Sequence, residues 1–366
     1  MTPTEVWREP VRGSYPDPGA LALPGRERLA GWLRAGGPLP PLTHLTGARP
    51  TGIGDGTADA EMPASDWLVN SAGLIGGGTL AILADVAFGC SVETQLPAAT
   101  PYTTAELSLT FLRPARPGAT LTAHGQSIHV GRTVGLSEVF VIDPRGEKLI
   151  AHGTSRLAIL PPLEQVPEPR GEAWASDSGD PGPGPFERPA PPGAVLGQEV
   201  WDELPGIEII RRQIAGDLPL PPICHLTGAE LTAAGEGEAT MRMPATEWLN
   251  SPVARLQGGT LAMLADMTMG CAAVTTAAPG TAIAGLDLKV DYLRPVLADG
   301  RDLVARATLV HSGRTLAISQ ARIENADGKP VALATGTAMH LPDCPVTLGA
   351  DVELASEASP GAAAGR

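Results

Sequence analysis

The chain has 366 residues, of which 43% are hydrophobic, with a net charge of −14 and a pI near 4.9. That length suits two domains, each with its own core, and the acidic balance argues against nucleic acid or an anionic membrane as a partner. Cys90, Cys224, Cys271 and Cys344 show no CxxC spacing and no matching histidine cluster, so the expectation is no metal and a reduced, cytoplasmic protein without a secretory leader or membrane span.

Residues 1–25, rich in proline, glycine and charge, read as a loose N-terminal arm. Over residues 26–35, Leu29, Trp32 and Leu33 fall at helical spacing, and Gly36-Gly37 ends the pattern. A proline-rich segment follows, Pro38-Leu39-Pro40-Pro41-Leu42-Thr43-His44-Leu45-Thr46-Gly47, and a strand is expected near residues 57–62. The next segment is Gly77-Gly78-Thr79-Leu80-Ala81-Ile82-Leu83-Ala84-Asp85. Leu80, Leu83 and Val86 recur at three-residue steps, which predicts a helix with an apolar face opened by two glycines. Those glycines leave the first N–H groups uncovered at the positive end of the helix dipole. Asp85 lies two turns in, too far along to cap the helix and flanked by apolar residues, so its carboxylate needs a partner or a role.

After the helix, Leu107, Leu109 and Phe111 alternate with Glu106, Ser108 and Thr110, and the strand stops at Arg113-Pro114. Three more strands are predicted near 119–130, 134–142 and 148–159, the last two joined by the turn Asp143-Pro144-Arg145-Gly146. Residues 161–195 read as a Pro/Gly-rich linker.

The pattern then repeats. Ile207, Ile210 and Ile214 mirror the first helix, Pro219 to Gly228 mirrors the proline-rich segment with His225 for His44, and Gly258-Gly259-Thr260-Leu261-Ala262-Met263-Leu264-Ala265-Asp266 mirrors the glycine helix. Between residues 76–90 and 257–271 ten of fifteen positions agree, the aspartate among them. Leu288, Val290 and Tyr292 alternate as before and end at Arg294-Pro295, and strands are expected near 237–243, 302–311, 315–324 and 330–340. The chain therefore divides into an arm (1–25), a first domain (26–160), a linker (161–195), a second domain (196–344) and a disordered tail (345–366). Each domain is α+β: one strand, a long helix, then four strands of an antiparallel sheet wrapped on that helix.

A strand, a Gly-Gly helix with an internal acid, and four strands closed by Leu-Arg-Pro resemble the hotdog fold, specifically the acyl-CoA thioesterases of the phenylacetate-pathway type. The resemblance covers both repeats and implies two tandem hotdog domains forming a pseudo-dimer within one chain. It implies that Gly77 and Gly258 offer backbone N–H groups to a thioester carbonyl, and that Asp85 and Asp266 act as base or nucleophile. Asn70 matches a position that holds substrate or water, and Thr103 one where a hydroxyl positions water. In the second half Ser251 and Ala284 stand at those two positions, and Gly76 and Gln257 replace the histidine that usually precedes the glycine. Composite sites follow: Asn70 and Gly77 facing Asp266, and Gly258 and Gln257 facing Asp85 and Thr103. Coenzyme A enters as part of the substrate, with no separate cofactor. Arg113, Arg294, Arg132 and Arg314 are candidates for its phosphates, and two chains are expected to associate.

The seven histidines offer no nucleophile relay and no GxSxG elbow is present. His44 and His225 read as groups that order their segment, Cys90 and Cys271 as helix packing residues, and Trp67 and Trp248 as loop anchors. Two alternatives stand beside hydrolysis: a non-catalytic acyl-CoA or ligand-binding double hotdog, and a hotdog hydratase or dehydratase.

Overall fold

The computed structural model describes residues 5–168 and 182–348. The first half runs α1 (Gly25–Ala35), α2 (Pro41–Thr46), β1 (Arg49–Ile53), β2 (Thr57–Pro63), α3 (Gly77–Glu93), β3 (Tyr102–Phe111), β4 (Thr120–Val130), β5 (Val134–Asp143) and β6 (Lys148–Ile159). The second runs α4 (Gln198–Glu203), α5 (Gly206–Ala215), α6 (Pro222–Thr227), β7 (Glu230–Gly235), β8 (Glu238–Pro244), α7 (Gly258–Val274), β9 (Thr281–Tyr292), β10 (Asp302–Ser312), β11 (Leu316–Glu324) and β12 (Pro330–Pro342).

Among the described residues, all strands join one antiparallel 12-stranded sheet in the order β1-β2-β4-β5-β6-β3-β9-β12-β11-β10-β8-β7. The halves meet at β3 and β9, where Leu107 pairs with Val290 and Leu109 with Leu288. Equivalent positions exchange places across the seam, the signature of an isologous interface. The central four of these residues are fully buried, so the seam is core.

α3 and α7 lie against each other and against the sheet. Their amphipathic reading gives way to burial nearly all round: Leu80 to Asp85, Ala87, Phe88 and Val92 are all covered, because sheet and partner helix leave little of α3 to solvent. The crossing is set by the second glycine of each helix. A Cβ at Gly78 would stand 2.7 Å from Met263 Cα, and one at Gly259 would stand 2.5 Å from Ile82 Cα.

Three expectations change. Each half has six strands, with β1 and β7 added at the outer edges; Pro50 and Gly52 in β1 hid it, and an edge strand with a bulge is where those residues are tolerated. The proline-rich segments form the short helices α2 and α6, begun by proline at N1 and stopped by Gly47 and Gly228 at φ +77°. The described part of the arm is not loose, since Trp248 Nε1 donates to Glu9 O at 3.2 Å and Asn250 Nδ2 to Tyr15 Oη at 2.9 Å.

The linker behaves the same way on the other half. Trp67 Nε1 donates to Pro189 O at 3.0 Å, and Arg188 donates to Leu45 O and His44 O at 2.6 Å each. The arm before each repeat thus packs on the opposite repeat. Val346, placed by sequence in the tail, is buried beside Trp201; the rest of that tail, from 349 on, and residues 169–181 of the linker lie outside the described residues.

Gly259→Ala places a methyl against the backbone of α3, so the helices must shift apart to admit it. We expect it to lower stability by about 1–3 kcal/mol, read as a fall in the denaturation midpoint. Ala at Gly270, which meets no atom within 4 Å, serves as the control and should be neutral or stabilising. Equal effects at the two glycines would remove the close-crossing argument.

Candidate active site

Close approach of the two helices puts each aspartate against the N-terminus of the other helix. Gly78 N–H donates to Asp266 Oδ2 at 2.8 Å, and Gly259 N–H donates to Asp85 Oδ2 at 3.2 Å. Each carboxylate therefore sits at the positive end of a helix dipole, on N–H groups that the glycines leave uncovered. Each site takes its acid from one half and its glycines from the other.

Asp85 is 7% exposed. Burial pushes its carboxyl above the usual range, opposed by hydrogen bonds from Thr104, Gly259 and Gly258. Thr104 Oγ1 donates to Asp85 Oδ1 at 2.9 Å, so both carboxylate oxygens are held. Gln257 lies beside them, 8% exposed; its Nε2 donates to Ile82 O at 3.2 Å, while its Oε1 has no hydrogen-bond partner among the described residues. Tyr292 Oη donates to Gly258 O at 2.8 Å and closes the same corner.

Asp266 is half-buried, and burial pushes its carboxyl up to about 6, opposed only by the Gly78 N–H. Gly285 stands where Thr104 stands in the other site, Phe111 where Tyr292 stands, and Gly76 where Gln257 stands. The Phe111 ring covers Gly77, whose added Cβ would meet Phe111 Cζ at 2.3 Å. The three polar side chains around Asp85, those of Thr104, Gln257 and Tyr292, thus have apolar or absent counterparts around Asp266.

One expected residue changes. Thr103 is exposed, and the hydroxyl on Asp85 belongs to Thr104. A bulge between Thr104 and Glu106 shifts the alternation, so Thr104 shares a face with Leu107 and Leu109 although its number has the other parity. The one available signal was Gly285, a glycine inside the matching strand, where a register shift also occurs. The N–H that reaches Asp266 is that of Gly78, next to the Gly77 expected to meet a thioester carbonyl. Asn70 spends its Oδ1 on Ala72 N–H and Leu74 N–H at 3.0 and 3.1 Å, ordering the loop before α3.

None of the four arginines is placed on an aspartate. Arg113 donates to Leu149 O at 2.8 Å and Arg294 to Pro330 O, while Arg132 and Arg314 are exposed in hairpin turns. Burial raises the thiols of Cys90 and, up to about 12, of Cys271, which keeps both protonated. Among the described residues no three His, Cys, Asp or Glu side chains converge.

A sequence model described as the thioesterase superfamily matches residues 72–150 and 255–332, one stretch in each half. A protein of Halobacterium salinarum, provisionally named an esterase, is 33% identical over 108 residues, covering 28% of this chain and 70% of that one. A second, from Haemophilus influenzae and named in the same way, is 31% identical over 107 residues, covering 29% of this chain and 75% of that one. Among solved structures, the TesB protein of Mycobacterium avium subspecies paratuberculosis is similar over 82% of this chain and 98% of its own, with a TM-score of 0.51 and 16% identity, a likeness of fold. The double match, the identity to both relatives and the acids seated on opposing glycine helices make one statement: the chain belongs to the thioesterase superfamily, as a thioester hydrolase of two fused hotdog units.

Proposed function

We propose that the chain hydrolyses acyl-CoA thioesters at composite sites formed by Asp266 with Gly77 and Gly78, and by Asp85 with Gly258, Gly259 and Thr104. One observation carries the reading: each carboxylate, that of Asp85 buried and that of Asp266 half-buried, is hydrogen-bonded to an uncovered N-terminal N–H group of the opposing helix. That N–H is the donor a thioester carbonyl needs. When the carbonyl oxygen enters, it takes the N–H from the carboxylate, which turns to water. The carboxylate accepts a proton from water as the oxygen bonds to the acyl carbon, and the helix N–H holds the oxyanion, a contact worth about 3 kcal/mol. The C–S bond then breaks; coenzyme A departs as the thiol after taking up that proton, and the free acid remains.

A binding protein gains nothing from these acids. Burial alone opposes the charged form of Asp266, and a catalyst uses that cost to hold a base near neutrality. At the Asp85 site the unpartnered Gln257 Oε1 adds an acceptor for the attacking water. The exposed guanidinium groups of Arg132 and Arg314, with Arg113 and Arg294 at the strand ends, remain the candidates for the coenzyme A phosphates. A homodimer in a reducing, cytoplasmic setting belongs to the same proposal, and the four unpaired cysteines are in keeping with it.

Release of free thiol from a panel of acyl-CoAs tests the reading. The double variant Asp85→Asn/Asp266→Asn should lose at least about a hundredfold in kcat/KM. For the Asp266 site, kcat/KM should rise about tenfold per pH unit and level off above about pH 6, as that carboxyl ionises. A double variant as active as the wild type would end the assignment. A wild type that binds acyl-CoAs and hydrolyses none would leave a binding protein.

The same shift governs stability. Asp266 titrates at about 6 in the folded protein and at about 3.9 unfolded, so the native state holds the extra proton between those values. Its stability is greatest below the lower value and falls as pH rises through the higher one. Asn accepts from Gly78 without charge, so Asp266→Asn should be more stable than the wild type at about pH 8, by on the order of 1–3 kcal/mol. The gap should close below about pH 4 in thermal unfolding, and an unchanged gap across that range would contradict the burial account.

A further inference from the structure

Beyond each aspartate, one helical turn on, the two halves differ in a way the proposed hydrolysis does not use. Gly89 follows Asp85 by four residues, and Gly270 follows Asp266 by four, so each lies on the same helix face as its acid. Gly89 is buried, and a Cβ there would stand 2.9 Å from Tyr102 Oη. Gly270 is half-exposed, and a Cβ there would meet no atom within 4 Å.

The cause is the residue two before Thr104 or Gly285 on the facing strand. Tyr102 shares a strand face with Thr104, and its hydroxyl donates to Glu93 Oε2 at 2.9 Å. Glu93 in turn accepts from Arg28 Nε at 2.7 Å, an ion pair about 90% buried on the Arg28 side. The phenol is thereby fixed across the helix face behind Asp85. In the second half the three counterparts are Ile283, Val274 and Ile209, all aliphatic. Ile209 and Val274 pack together in a small cluster near Trp201, and Ile283 is left half-exposed. From Asp266 onward, Met267, Gly270, Cys271 and Val274 form a partly buried, uncharged stripe along α7, with Ile283 on the facing strand β9. Over eight residues this stripe runs about 12 Å from the acid.

We infer that the two sites take acyl groups of different length: the Asp266 site extends into an open apolar groove along α7 that holds an aliphatic acyl tail, and the Asp85 site ends at the tethered Tyr102 hydroxyl and takes short acyl groups. Tyr102 and Gly270 are then the specificity-determining positions. The occupant follows from continuity, since the groove starts at the carboxylate and the helix N–H groups where the thioester carbon must lie, and Met267, Gly270, Cys271, Val274 and Ile283 along it carry no charge. The inference rests on the thioesterase reading for its chemistry but not for its groove.

Two pairs of variants test it. Asp85→Asn leaves the Asp266 site and should favour decanoyl-CoA over acetyl-CoA; Asp266→Asn should show the reverse preference. In the Asp85→Asn background, Gly270→Leu or Ile283→Tyr closes the groove, and the ratio of kcat/KM for decanoyl-CoA to that for acetyl-CoA should fall at least about tenfold. The Cβ of a leucine at Gly270 meets open space, and leucine improves helix propensity, so folding should survive, and a fold defect would lower both substrates together without moving the ratio. Identical chain-length profiles for the two aspartate variants, or an unchanged ratio after both closures, would overturn the inference. Should the wild type hydrolyse no thioester, the catalytic reading fails by itself, and calorimetric affinity for decanoyl-CoA against acetyl-CoA in wild type and Gly270→Leu decides the groove: a preserved preference for the long chain in the variant rejects it.

Discussion

The reciprocal seating of Asp85 on Gly259 and Asp266 on Gly78 requires the two long helices to pass with backbone nearly touching backbone, at 2.5–2.7 Å from where a side chain would begin. Much else serves that requirement. Glycine pairs permit the approach, the small residues Ala81, Ala84, Ala262 and Ala265 keep it close, and the continuous sheet through β3 and β9 holds the helices in register. The contact is also electrostatically self-consistent, because the charge most costly to bury lies where two helix termini supply uncovered donors.

The exchanged arms reinforce the crossing from outside. Trp248 is held by Glu9 and Trp67 by Pro189, each in the loop region before a glycine helix. A loop that must stop at a fixed place so that its glycines meet the opposing acid needs such anchoring, and here the anchor comes from the other repeat's leader. Leu196 N–H on Ser71 O and Leu42 N–H on Asn250 O continue the pattern, at 2.9 and 3.4 Å. The duplicated unit is therefore longer than the glycine helix and its strands, and neither half presents a complete surface alone.

The sequence made the central architecture legible because its signals are local and strong: period-two alternation in β3 and β9, helical spacing after Gly77 and Gly258, and repetition of both. Asp85 and Asp266 were legible as charges inside apolar runs. Thr104 was not, since a bulge changes which residue faces inward without any local mark except the glycine in the other copy. The arms were not, since proline-rich chain that packs through two indole N–H groups and backbone carbonyls has the composition of chain that does not pack. Glu106 was assigned outward by alternation, and it is buried on that outer face under Arg156, 3.2 Å away; a single ion pair covered it. Each miss lies where tertiary contact, and not propensity, decides the outcome.

Fusion explains why the two sites differ as they do. In a symmetric dimer of single units a substitution changes both sites at once, so Thr104 and Gly285, or Tyr292 and Phe111, would have to be the same residue. Joining the units removes that constraint but not the crossing, because each site draws its acid and facing strand from one half and its glycine helix from the other. The Asp85 site combines Thr104 and Tyr102 of the first half with Gln257 and Tyr292 of the second; the Asp266 site combines Gly285 and Ile283 of the second with Gly76 and Phe111 of the first. Neither site reaches its present composition through changes in one half alone. The hydroxyl, amide and phenol thus stand together on the side where both carboxylate oxygens are held, by Thr104 and by Gly259, and the apolar side chains and glycines stand together round the carboxylate whose hydrogen bond comes from Gly78.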